Sequence, residues 1–179
     1  MKKQTFILKN HDTEEENIEI KASLEVNRER VIVEYIVTGE LNNYIFENLK
    51  VKQQRANELW KATCFELFIS PRESLNYWEL NISTSKEWNC YAFDNYKENM
   101  REEKNISIPN IEITQKKDTY ILSCELNFGI GGVSPEHSNF NLAIILLDTD
   151  RVRHFYSINK KNGIVDFHNK DFWKKRGYL

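Results

Sequence analysis

Apolar and polar residues alternate along much of this chain with a period of two, the pattern of strands with one buried face. Ile18, Ile20, Ala22, Leu24 and Val26 interleave with Glu19, Lys21, Ser23, Glu25 and Asn27. After Asn27-Arg28-Glu29-Arg30, the run from Val31 to Val37 is β-branched and apolar on both faces. It predicts a central strand, hairpinned to the first and ended at Gly39. Segment 48–60 is polar and poor in strand formers, which predicts a loop with one helical turn near Ala56 to Leu59. Three closely spaced strands follow, in ATCFELFIS, LNYWELNIS and EWNCYAFDN, and further strands are expected at 106–115, 119–127, 140–148 and 154–159. Lys116-Lys117-Asp118 and Asn162-Gly163 read as turns, and the glycines of FGIGGVS as a wide loop. Only NYKENMREEKN suggests a short helix, and DFWKKRGYL a terminal turn.

Many short strands with polar turns imply an all-β, antiparallel two-sheet β-sandwich with short helical turns, or a barrel. The 179 residues suit one domain, 1–179, long enough to bury a core without a metal or disulfide.

Composition narrows the function. With 25 basic and 27 acidic residues the net charge is −2, so neither nucleic acid nor a membrane surface is an expected partner. Cys64, Cys90 and Cys124 lie far apart inside apolar runs with no CxxC spacing, which predicts buried free thiols and no zinc or redox site. The amino-terminal segment has only Phe6-Ile7-Leu8 before charge resumes, too short for a signal peptide, so the cytoplasm is the simplest expected location. His11, His137, His154 and His168 show no ligand spacing, so no metal is expected, although His154 and His168 could meet in the fold. No phosphate-loop, dinucleotide or nucleophile-elbow motif occurs, and no residue is assigned a catalytic role. Nothing in the sequence sets an oligomeric state.

The informative chemistry is a hairpin. Pairing Ile82 with Trp88 places Trp78, Leu80, Ile82, Trp88, Cys90 and Ala92 on one face. Tyr77, Glu79, Asn81, Asn89, Tyr91 and Phe93 then share the other, whereas a one-residue slip would move Trp88 among Glu79 and Asn81. In either register a carboxylate, carboxamides and a large ring stand together. That combination suits a sugar, whose C–H face stacks on rings while its hydroxyls meet Glu and Asn. It also suits a solvated sheet face held by cross-strand aromatic pairs. In CFELFI, Glu66 shares a face with Cys64 and Phe68. A carboxylate there must be paired, hydrogen-bonded or protonated, so it meets an arginine such as Arg55 or Arg101, caps backbone donors, or faces a ligand cleft.

The runs LWKATCFELFI, YWELNISTSKEWNCYAFDNYKENMR and VDFHNKDFW resemble the DOMON-like proteins related to family-nine carbohydrate-binding modules, over about a third of the chain. The resemblance implies a β-sandwich whose superfamily binds sugars or haem without catalysis. It marks Trp60, Glu66, Glu79, Asn81, Trp88 and Tyr91 as ligand-binding positions, with Asp166 and His168 from the tail. Where the family's tail carries a Tyr-Trp pair and a His, this chain has Phe155-Tyr156 and Asn159, so Tyr156 replaces an indole that would serve as a platform. Haem is the less favoured ligand, because Met100 lies in the charged segment KENMREE with His154 as its partner. The expectation is therefore a cofactor-free, non-enzymatic domain binding a carbohydrate or small sugar-like ligand. In the cytoplasm that ligand would be a soluble sugar, a sugar nucleotide or a cell-wall precursor. The alternative is a protein-interaction or structural domain using its aromatic sheet face.

Overall fold

In the computed structural model, which describes residues 2–12, 17–27, 30–47, 52–128, 134–160 and 165–175, the alternating segments pair into two sheets. The strands are β1 (Lys2–Ile7), β2 (Lys9–Asn10), β3 (Ile18–Asn27), β4 (Arg30–Gly39), β5 (Gln54–Arg55), β6 (Cys64–Pro71) and β7 (Tyr77–Ser83). They continue as β8 (Glu87–Phe93), β9 (Arg101–Glu102), β10 (Ile106–Gln115), β11 (Thr119–Phe128), β12 (Ser138–Leu147) and β13 (Arg153–Ser157). The first sheet runs β1-β3-β4-β11-β10, and the second β2-β13-β12-β6-β7-β8-β5 with β9 beside β8. All pairs are antiparallel except the two-residue pairing of β5 with β8. The protein is an all-β sandwich.

The β3–β4 hairpin forms as expected, with Asn27 opposite Arg30; its turn residues, like the FGIGGVS glycines and Asn162-Gly163, lie outside the described residues. Gly39 closes β4 at φ +123, where a side chain would strike the backbone of Asn17 and Ile18. β4 is central, between β3 and β11. Its even-numbered residues Ile32, Glu34 and Ile36 are only half-buried, so the first sheet has one dry face.

The second sheet differs. Every residue of β7, and nearly every one of β6 and β8, is buried, so its middle strands are covered on both sides. One side meets the first sheet through Phe65, Leu67, Trp78, Leu80, Ile82 and Cys90. The other is covered by the 3-10 turn Leu59–Lys61 and by the tail, through Leu59, Phe68, Tyr77, Tyr91, Phe167 and Trp173. That turn begins three residues after the expected helical turn did. The tail is tied down at several points. Lys174 exchanges backbone hydrogen bonds with Phe140, the Trp173 indole donates to Phe167 O at 2.8 Å, and Asn159 Nδ2 donates to Phe172 O at 2.7 Å. Lys170 Nζ caps Ser74 O and Leu75 O at the β6–β7 turn, at 2.9 and 2.6 Å.

Besides the unexpected two-residue strands β2, β5 and β9, two further segments depart from expectation. β1, a six-residue edge strand, was hidden by its polar sequence KKQTFI. The helix expected over NYKENMREEKN does not form. Lys97 and Asn99 take positive φ, and Arg101–Glu102 adds a short strand to β8. Tertiary bonds hold that segment open: Lys97 N–H donates to the Tyr77 hydroxyl, and the Tyr96 hydroxyl to Asp166. The three cysteines are buried and free.

Candidate ligand-binding site

The side chains of the hairpin fall on the sides their parity dictates. β7 pairs with β8 through Ile82 opposite Trp88, and β6 with β7 through Glu66 opposite Asn81 and Phe68 opposite Glu79. Glu66 and Glu79 therefore project together from the outer face of the second sheet. Above them lies a cleft of about 470 Å³. Trp60, Phe93, Ile145 and Phe155 form its walls, with Phe167 and His168 from the tail, and Lys97, Met100, Arg153, Val165 and Asp166 complete the lining.

The floor is unusual electrostatically. Glu66 is 2% exposed and Glu79 6%, and among the described residues no arginine reaches either. Arg55 instead grips Asn89 Oδ1, Glu103 O and Ile106 O, and Arg101 pairs with Asp94 at 2.6 Å. Burial, reinforced by the neighbouring Glu79 charge, pushes the Glu66 carboxyl well above the usual range; the Cys64 thiol beside it pulls weakly the other way. Glu79 is pushed up to about 7, also by burial, against the hydrogen bond from Asn81 and the charge of Lys97. Asn81 Nδ2 donates to Glu79 Oε1 at 2.8 Å, and the amide oxygen of Asn81 is buried without a partner.

His168 closes one side, boxed edge-on by Phe68, Tyr77 and Phe93 at 5.1, 5.8 and 5.4 Å between centroids. Its Nδ1 lies 2.8 Å from the Tyr77 hydroxyl, whose oxygen already accepts the Lys97 N–H. The Tyr77 hydroxyl and Nδ1 share a hydrogen bond, and the other ring nitrogen, Nε2, faces Glu79 Oε2 at 3.8 Å. Burial first, and Lys97 second, lower the His168 pKa to about 4. The imidazole is neutral at pH 7, so its approach to Glu79 is not a salt bridge. At 3.8 Å the two atoms are beyond hydrogen-bond reach of each other, and both residues line the cleft. At the rim, Lys97 Nζ pairs with Asp166 at 3.1 Å, and the Arg153 guanidinium lies 5.7 Å from the Phe155 ring.

Of the residues singled out in the sequence, Trp60, Glu66, Glu79 and His168 line the cleft together, with Asp166 beside them. Asn81 sits behind the cleft and orients Glu79. Tyr91 is buried under Trp60, with its ring 5.7 Å away and its hydroxyl donating to Asn57 at 2.8 Å. Trp88 is not in the cleft. Its parity turns it into the core between the sheets, with Arg55 stacked 4.2 Å over the ring. Tyr156 also faces the core, opposite Ile144, where it accepts from Asn10 Nδ2. Its neighbours Arg153 and Phe155, opposite Leu147 and Ile145, take the cleft side. His154 is thus on the face away from His168, held by Asp148 at 2.8 Å. Met100 lines the cleft rim and His154 does not, so the two are not brought together around a common ligand. Among the described residues, no group of three or more His, Cys, Asp or Glu is placed to hold a metal.

Lys97, Arg153 and Phe155 were missed. The parity of β13 was the available signal for the last two, since pairing with β12 puts them beside Ile145.

No known family profile matches the chain. No curated protein matches its sequence. Solved structures do resemble it. A candidate carbohydrate-binding protein from Bacteroides uniformis superposes with TM-score 0.67 at 12% identity, covering 96% of this chain and 84% of that one. A family-nine carbohydrate-binding module from Caldicellulosiruptor kristjanssonii in complex with cellotriose gives 0.53 at 12%, covering 89% and 74%. A family-nine module from the same organism in complex with glucose gives 0.52 at 11%, covering 96% and 86%. This chain has their fold.

Proposed function

We propose that this protein is a non-catalytic carbohydrate-binding domain of the DOMON-like kind and that the sugar sits in the cleft on the outer face of the second sheet. One observation carries the reading: two buried carboxyls floor a concavity walled by Trp60, Phe93 and Phe155. Rings at the walls suit the C–H faces of a pyranose, and carboxyls with the His168 ring nitrogen suit its hydroxyls. The fold's likeness to modules solved with glucose and cellotriose supports the same class of ligand. A flat aromatic patch would have favoured a protein-docking face, and here the rings surround a hollow instead.

The test is isothermal calorimetry with glucose, cellotriose and a panel of soluble sugars and sugar nucleotides. Saturable binding that weakens by about tenfold or more in Trp60→Ala, through loss of one stacking wall, is the expected result. Absence of binding across the panel, or affinity indifferent to Trp60, would overturn the reading.

A further inference from the structure

The floor of the cleft is mismatched with a purely neutral ligand. Glu79 Oε1 is occupied by Asn81 Nδ2. Its Oε2 has only the His168 ring nitrogen at 3.8 Å, and among the described residues Glu66 is approached only by the Cys64 thiol. One oxygen of each carboxyl is thus left without a donor among the described residues, and both carboxyls line the hollow. Nor, among the described residues, does a cation pair with either of them. Lys97 is committed to Asp166, the Arg153 guanidinium stays at the rim over Phe155 and against Trp60 O, and the His168 imidazole is neutral. Left empty, the site favours the protonated form of both carboxyls, mainly because they are buried. A ligand that brings its own positive charge removes that preference.

Building on the carbohydrate reading, we propose that the ligand is a sugar carrying a free amino group, whose ammonium is held between Glu66 and Glu79. An ammonium has three donors and no acceptor, which suits a floor of two carboxyls that only accept; a hydroxyl brings one donor and two lone pairs that find no use there. The aromatic walls exclude water around the contact, which strengthens charge-assisted hydrogen bonds.

Calorimetry at pH 7 separates the possibilities, using glucosamine, galactosamine and mannosamine beside their N-acetyl forms and glucose. At least one free amino sugar is expected to bind about tenfold or more tighter than its N-acetyl form, the scale of a charge-assisted bond. That preference should vanish in Glu66→Gln and in Glu79→Gln, with folding of each checked by its melting curve. It should also shrink as the pH is lowered to about 5, where protons compete for the raised carboxyls. Neutral sugars binding as tightly as amino sugars would overturn this inference and leave the carbohydrate reading standing. No sugar binding at all would overturn both. A melting shift with calcium or zinc alone that is lost in Glu66→Gln would make the floor a metal site, and that too would overturn it.

Discussion

A carboxyl cut off from water keeps its proton to a higher pH than the unfolded chain would, and Glu79 turns this into a measurable dependence of stability on pH. Its folded value of about 7 exceeds the ordinary 4.5, so between those values the folded protein binds more protons than the unfolded one. Stability is then lost as the pH rises through that window. His168 works in the opposite sense. Its value of about 4 lies below the ordinary 6.5, so stability is gained as the pH rises between them. The two slopes oppose each other up to about pH 6.5, and above it only the carboxyl slope remains. Glu79→Gln keeps an acceptor for Asn81 and removes the ionisation. It is expected to melt higher than the wild type at about pH 8, by on the order of 3 kcal/mol, and to match it near pH 5. Melting curves at the two pH values check this; equal curves at pH 8 would mean that Glu79 is not ionising in a buried site. Glu66 and Glu79 were legible from sequence because an ionisable group inside an apolar alternating run has to be explained. The direction of Trp88 was legible only once the register was known, since one residue of slip exchanges the two faces.

At the scale of elements, the β5–β8–β9 edge depends on one side chain. Arg55 reaches from a two-residue strand to Asn89 Oδ1, Glu103 O and Ile106 O while its guanidinium covers Trp88. Arg55→Ala would strand those acceptors and uncover the indole, costing about 2–3 kcal/mol. Arg55→Lys should recover little of that, because a point ammonium cannot make the forked contacts or stack. Denaturant melts of the two variants test it, and a lysine variant as stable as wild type would show that charge alone suffices. This edge also marks where element reading fails. Alternation announced β3 and β11 because each buries mainly one parity, whereas β6, β7 and β8, buried on both faces, were announced by their dense apolar and aromatic content. β5 and β9 have two residues each and exist only through their partners. The helix expected over NYKENMREEKN had adequate local propensity, but Tyr77 and Asp166, far away in sequence, hold Lys97 and Tyr96 elsewhere. The cleft's far wall was hidden for the same reason, since the β12–β13 register and the course of the tail bring Arg153, Phe155 and Phe167 to it.

The whole molecule divides its labour unequally between the sheets. The first sheet has a single dry face and supports the second; the second is covered on both faces, and its outer cover is thin. That cover is largely the 165–175 tail, anchored by Trp173 against Phe68 and Tyr77 at 5.9 and 5.6 Å, and it also supplies Asp166, Phe167 and His168 to the cleft. The core between the sheets needs none of these residues. A local opening of the tail should therefore dismantle the site before the sandwich unfolds. Trp173→Ala removes the anchor and leaves a cavity, at a cost of about 3–5 kcal/mol if the loss is felt globally. The expected result is narrower. Amides of the tail should lose hydrogen-exchange protection, ligand affinity should fall by about tenfold or more, and the amides of β4 and β11 should stay protected. Uniform loss of protection across both sheets would show instead that the outer cover and the inner core are a single cooperative unit. In that case the cleft could open only by unfolding the protein.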